Sequence, residues 1–210
     1  MIADIENANL FMMCTALNTS AATSLPRGYS FRRIRPDELD IWKRMPFNDN
    51  ETADAYYGYM SEWFERVYAP RASVFYDNCI FVCDINDTPV GTCFFWHAYG
   101  VLPTLHWFKV IKPLEGKGIG RALLSEVMKD AEYPIYLHTQ PGSYRAIKLY
   151  TDFGFALLRD PVIGNRKNDI DIALPYLKER MPERDYNKLS FANAPEHFMH
   201  TVSQYESVEF

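Results

Sequence analysis

The stretch Val110-Ile111-Lys112-Pro113-Leu114-Glu115-Gly116-Lys117-Gly118-Ile119-Gly120-Arg121-Ala122-Leu123-Leu124 decides how this chain is read. An apolar, strand-like run enters a glycine-rich turn, and the turn opens a helix. That order sets unpaired backbone N–H groups at the positive end of a helix, where an anion is stabilised. Gly116, Gly118 and Gly120 permit positive φ and let a ligand approach main chain without meeting a Cβ. Two familiar nucleotide loops do not fit. Leu123 stands where the dinucleotide fingerprint, started at Gly118, needs its third glycine. Gly118 follows Gly116-Lys117 where a P-loop needs Ser or Thr. A loop without a ligand is the plain alternative.

Working outward, Tyr29 to Ile34 alternates apolar and polar residues, as on an edge strand. Pro36 to Trp42 opens a helix with acids in its first turn. Residues 51–69 read as a helix rich in aromatics, Tyr56, Tyr57, Tyr59, Trp63, Phe64 and Tyr68, suited to core or to a groove wall. Cys79 to Cys83 and Pro89 to Trp96 flank Asn86-Asp87-Thr88 and predict an antiparallel hairpin. Leu105 to Ile111 is the next strand, then the turn and a helix from about Gly118 to Ala131. Pro134 to Thr139 reads as a short strand, and Ser143 to Phe153 as a helix stopped by Gly154. Ala156 to Leu158 and Asp169 to Leu174 read as the last strands. Strands followed by strand–helix–strand–helix give an α+β class with a mixed sheet. Residues 1–28 are expected to be an arm or short helix, 29–175 one domain, and 176–210 an extension packing on that domain or on a dimer partner.

The central stretch resembles motif A of the GCN5-related N-acetyltransferases: Val, four residues, Gln or Arg, two residues, Gly, one residue, Gly or Ala. Val110, Gly118 and Gly120 fall on it, and Glu115 stands where Gln or Arg is usual. Ser143 to Phe155 resembles motif B, with Ala146, Leu149-Tyr150 and Gly154-Phe155 in place and Ser143 replacing the usual Asn. The resemblance covers roughly residues 30–175. It implies a mostly antiparallel sheet flanked by helices, with a splayed central strand pair, and acetyl-CoA as co-substrate. By the same resemblance the amides of Glu115, Gly116, Lys117, Gly118, Ile119 and Gly120 would hold the pyrophosphate, with Lys117 or Arg121 adding charge. Backbone around Phe108, Val110 and Ile111 would pair with the pantetheine arm, and one N–H would polarise the thioester carbonyl. Ser143 would bond the pantetheine or cap its helix. Tyr150 would protonate the departing thiolate, or else pack beside Phe153 and Phe155.

The general base is open. His106 occupies the place where several relatives carry a Glu, and a neutral imidazole with pKa near ~6.5 suits proton transfer. Strand alternation puts His106, Phe108 and Val110 on one face and Leu105, Trp107 and Lys109 on the other. His138 competes, and a hydrogen-bonded structural role suits either histidine. Asp54, Glu62 and Glu65 read as solvated carboxylates. His197 and His200 lack companions for a metal site, so no metal is expected.

The rest of the composition narrows the class. A net charge of −5 argues against a nucleic-acid surface and tolerates a cationic amine. No apolar run approaches the ~20 residues of a membrane span. Met1 to Glu6 carries acids where a secretory signal is basic, and the four cysteines lack Cys-x-x-Cys spacing, so a cytoplasmic chain is expected. Direct acetyl transfer to a primary amine of a small molecule or peptide is the leading expectation. A non-catalytic sensor of coenzyme A or its thioesters is the second, motivated by Glu115 and Ser143. A dimeric structural domain with a degenerate site is the third.

Overall fold

A computed structural model describes residues 5–210, so Met1 to Asp4 of the acidic start lie outside the described residues. The strands are β1 (Leu10–Cys14), β2 (Ser30–Arg33), β3 (Ile80–Cys83), β4 (Pro89–Ala98), β5 (Leu102–Val110), β6 (Ile135–Thr139), β7 (Phe155–Leu158), β8 (Val162–Ile163), β9 (Arg166–Lys167) and β10 (Phe191–Ala192). The α-helices are α1 (Leu39–Arg44), α2 (Asn50–Trp63), α3 (Ala72–Asn78), α4 (Ile119–Met128), α5 (Tyr144–Asp152), α6 (Ile170–Arg180), α7 (Glu183–Tyr186) and α8 (Glu196–Ser203). Eight strands hydrogen-bond in the order β10-β7-β1-β6-β5-β4-β3-β2, and β8 and β9 form a separate ribbon. Pairing is mostly antiparallel, with β10–β7 and β5–β6 parallel. The architecture is the α+β class expected from the sequence.

The chain divides into two compact units. One holds residues 22–96 and 105–131. Its β2 is an edge strand, as the alternation of Tyr29 to Ile34 predicts, and β3 and β4 form the predicted hairpin, with Asp87 at φ +61° in the turn. Helix α2 starts where Asp49 accepts the Thr52 N–H at 2.8 Å, an N-cap that satisfies one orphan donor. The helix runs on into a π-helical turn, Phe64–Tyr68. That turn drives Phe64, Val67 and Tyr68 into a core with Trp42, Phe75, Phe94 and Trp96, all at most 5% exposed. Tyr56 and Tyr59 remain on the surface, 53% and 51% exposed. The aromatic stripe therefore divides between core and surface.

The other unit holds the described residues up to 21, with 97–104 and 132–210. Here two sequence expectations are corrected. Residues 1–28 were expected to be an arm or short helix, but Leu10–Cys14 is a strand, fully buried, paired with β6 on one side and β7 on the other. A strand covered on both faces shows an unbroken apolar run rather than alternation, and such a short run does not announce its period. The boundary expected at residue 28/29 does not coincide with the division between units. Asp169 to Leu174 was expected to be a strand and is the start of α6. Asp169-Ile170-Asp171-Ile172 alternates, but Ile170, Ala173 and Leu177 are the buried positions, a helical spacing. Residues 176–210 complete α6 and add α7, β10 and α8, whose Phe198 stacks on Tyr136 at 3.9 Å between ring centroids.

Candidate functional site

The glycine turn is built by a 3₁₀ turn at Lys112–Leu114 followed by Gly116 at φ +76° and Gly118 at φ +85°. Gly118 is the N-cap of α4, and the helix ladder begins only with Ala122 N–H donating to Gly118 C=O at 3.1 Å. The amides of Ile119 and Gly120 precede that bond, at the positive end of the helix dipole. Ile119 is fully buried and anchors the turn, while Gly116, Lys117 and Gly118 are exposed. Nothing lies within 4 Å of where a Gly116 Cβ would stand, and only Pro26 Cγ, at 3.8 Å, meets one at Gly118. Open backbone with two left-handed residues is therefore what the turn offers, and this fits a diphosphate. Lys117 is exposed and Arg121 half-buried at the turn.

Three details of the expected cradle change. Gly120 lies inside α4 and is absent from the positive-φ residues, so no left-handed backbone calls for a glycine there. Glu115 N–H donates to Lys112 C=O at 3.3 Å and Ile111 N–H donates to Val90 C=O at 2.9 Å, so neither amide stands ready for a ligand. Because Ile111 faces β4, strand alternation turns the amides of Val110 and Phe108 away from β4. Val110 is therefore a backbone candidate for an added strand-like ligand. Parallel pairing of β5 with β6 is confined to Thr104↔Tyr136. Burial, with Lys112, holds the Lys109 pKa below its usual value, and the Glu115 carboxylate opposes this by favouring the charged form of Lys109. Lys109 in turn donates to Asn48 Oδ1 at 2.7 Å, tying β5 to the loop before α2.

The catalytic candidates are placed as follows. Tyr150 is 6% exposed, with its ring 5.6 Å from that of Phe155. Ser143 is exposed at the N-terminus of α5 and makes no side-chain cap bond. His106 is 4% exposed, and its Nδ1 lies 2.6 Å from the Tyr68 hydroxyl. That hydroxyl accepts the indole N–H groups of Trp107 at 2.8 Å and Trp63 at 3.2 Å. With both lone pairs filled, the hydroxyl donates its proton to Nδ1, and His106 is the neutral Nε2–H tautomer. Burial, and then the charge of Arg71, push its pKa down to about 3. An imidazole held neutral and already accepting a proton does not suit the base proposed from the sequence. His138 donates from Nε2 to Asn9 Oδ1 at 2.9 Å, and burial and then Arg166 push its pKa to about 3 as well. Asp54 pairs with Arg44 at 2.7 Å, and Glu62 and Glu65 are exposed. Among the described residues no cluster of His, Cys, Asp and Glu is arranged to hold a metal ion.

His106 and Trp107 reach the same hydroxyl, which strict alternation forbids. Trp107 stands at φ +50°, a conformation that a bulky residue rarely adopts and that costs roughly 1–3 kcal/mol. This kink in β5, the Tyr68 hub and Trp63 have no signal in the sequence, because no glycine or asparagine marks the left-handed position.

Buried His106 and half-buried His138 carry a pH prediction. Unfolded, each titrates near ~6.5; folded, each stays neutral to about pH 3. The unfolded chain therefore binds more protons in that window, and stability falls as pH falls, by up to about 1.4 kcal/mol per pH unit for each histidine. Carboxylates titrate mainly below this range, so the interval from about pH 6.5 to 5 reports on the histidines. Urea unfolding at pH 7 and pH 5 should show a clearly lower midpoint at pH 5, and His138→Gln should lessen the difference. Equal midpoints would mean the imidazoles protonate in the fold without penalty.

A family model described as the Acetyltransferase (GNAT) family matches residues 40–155, more than half of the chain. The chain belongs to the GNAT acetyltransferase family. No curated protein matches it. Among solved structures, this GNAT chain is similar to a tandem GNAT protein from the clavulanic acid biosynthesis pathway, with 12% identity over 70% of this chain and 49% of that one, TM-score 0.51. It is also similar to a GCN5-related N-acetyltransferase from Sphaerobacter thermophilus, with 18% identity over 62% of this chain and 42% of that one, TM-score 0.45. The chain thus spans less than half the length of either protein. At 12% identity the likeness to the tandem GNAT protein is one of fold. Among the described residues no helix is long and apolar enough to cross a membrane.

Proposed function

We propose that this GNAT chain is an acetyl-CoA-dependent N-acetyltransferase that moves the acetyl group directly to a primary amine of a small molecule or peptide. The observation that carries the reading is the pair of left-handed glycines, Gly116 and Gly118, opening α4 with its first amides ahead of the helix ladder. The amides from Gly116 to Gly120 hold the diphosphate, and Lys117 and Arg121 add charge-assisted contacts. When bound, acetyl-CoA supplies a carbonyl carbon activated as a thioester. The Val110 and Phe108 main chain orients the pantetheine arm along β5, and an N–H on that edge stabilises the oxygen as it takes up negative charge. The neutral amine forms the new C–N bond, the C–S bond breaks, the Tyr150 phenol gives its proton to the departing sulfur, and the surplus proton on the new amide nitrogen returns through water to the Tyr150 phenolate. Neither His106 nor His138 takes the amine's proton in this scheme.

The test pairs calorimetry of acetyl-CoA binding with thiol release in the presence of polyamines, aminoglycosides, amino acids, arylalkylamines and peptides. Saturable binding with amine-dependent thiol release is expected. No binding at millimolar acetyl-CoA would overturn the proposal. Saturable binding without turnover on any amine would replace it with the sensor, which uses the same turn.

A further inference from the structure

Two indoles in the unit that carries the glycine turn are oriented inside out. A half-buried tryptophan ordinarily buries its rings and leaves its N–H at the wet end. Here Trp63 and Trp107 are half-buried, yet both N–H groups point inward to the hydroxyl of Tyr68, which is fully buried. What they leave at the surface is ring carbon. The two indoles meet edge to face, with centroids 6.1 Å apart at 85°, and half-exposed Tyr59 extends the wall at 6.0 Å from Trp63. The hub that sets this orientation is rigid, since the Tyr68 ring is packed by Phe75 at 5.1 Å, Trp96 at 5.0 Å and Phe94 at 5.4 Å.

The position of the wall gives it a substrate. Trp107 immediately precedes Phe108, the first β5 residue assigned to the pantetheine arm, and one strand residue spans only ~3.3 Å. An acceptor attacking a thioester on β5 therefore passes this aromatic surface. Its charge narrows the choice. The Arg66 guanidinium already lies 4.8 Å from the Trp63 ring centroid, so a second cation on that ring meets like-charge repulsion. The surface suits an uncharged ring, with the reactive amine displaced from it by a linker.

Resting on the acetyltransfer reading, we infer that the acceptor is an arylalkylamine whose ring packs on Trp63 and Trp107, and that Tyr68 is the positioning residue that turns both indoles outward. 2-Phenylethylamine, 2-cyclohexylethylamine and n-hexylamine separate ring stacking from bulk apolarity and from chain length. Thiol release at saturating acetyl-CoA should favour the phenyl compound over its cyclohexyl analogue by about tenfold in kcat/KM. Trp63→Leu should bring that ratio towards one, and Trp63→Phe should keep part of it. Tyr68→Phe, which retains the packed ring, should act mainly by raising KM for the phenyl compound rather than by lowering kcat. Calorimetry of the same three amines on protein saturated with coenzyme A reads the preference without chemistry. Equal binding and equal turnover of the three amines would overturn this inference and leave acetyl transfer standing. Loss of turnover on every amine, with the phenyl preference in binding retained, would overturn acetyl transfer and leave an aryl-binding wall.

Discussion

Gly118→Val is expected to weaken acetyl-CoA binding by at least about 100-fold. Gly118 holds φ +85° at the N-cap of α4, and a β-branched residue is a steric outlier there. The turn must leave the left-handed region, and the amides of Ile119 and Gly120 swing with it. Losing two hydrogen bonds to a charged group, each worth about 1.5–3 kcal/mol, accounts for a factor of this size. The fold should survive, because the added side chain enters open space beside Pro26 and a strain of about 1–3 kcal/mol is small against the ~5–15 kcal/mol stability of a domain. Isothermal calorimetry and a thermal melt of the same sample separate the two. An unchanged Kd would show that phosphate is not held at this turn.

Tyr150→Phe is expected to lower kcat by about 100-fold while acetyl-CoA Kd stays within a factor of about two. The substitution removes one oxygen and keeps the ring that packs on Phe155. Packing is therefore preserved, and a loss of rate reports on the hydroxyl. Single-turnover thiol release measures it without interference from product departure. An unchanged kcat would reduce Tyr150 to an aromatic of the core.

These expectations follow from unequal parts of the sequence. The glycine turn was legible because it is local: the spacing from Val110 to Gly120 and the helix behind it need no distant partner to be understood. The amides of Glu115 and Ile111 looked available because their partners, Lys112 C=O and Val90 C=O, are fixed by a 3₁₀ turn and by strand pairing rather than by residue type. His106 read as a base because Tyr68, the partner that occupies its Nδ1, lies 38 residues away in the chain.

What the sequence by itself determined is the family, the strands and helices from Tyr29 to Leu158 apart from α3, and the glycine turn ahead of α4. Periodicity, glycine and the two motif blocks act over a few residues, and local physics suffices for them. Only the tertiary structure decided that Leu10–Cys14 enters the middle of the strand order, that Ile170–Arg180 is helical, and that Trp107 bends into the left-handed region. Each of these outcomes depends on burial against residues far away along the chain. A short apolar run, an alternating tetrapeptide or a bulky residue in a strand takes its conformation from whatever covers it.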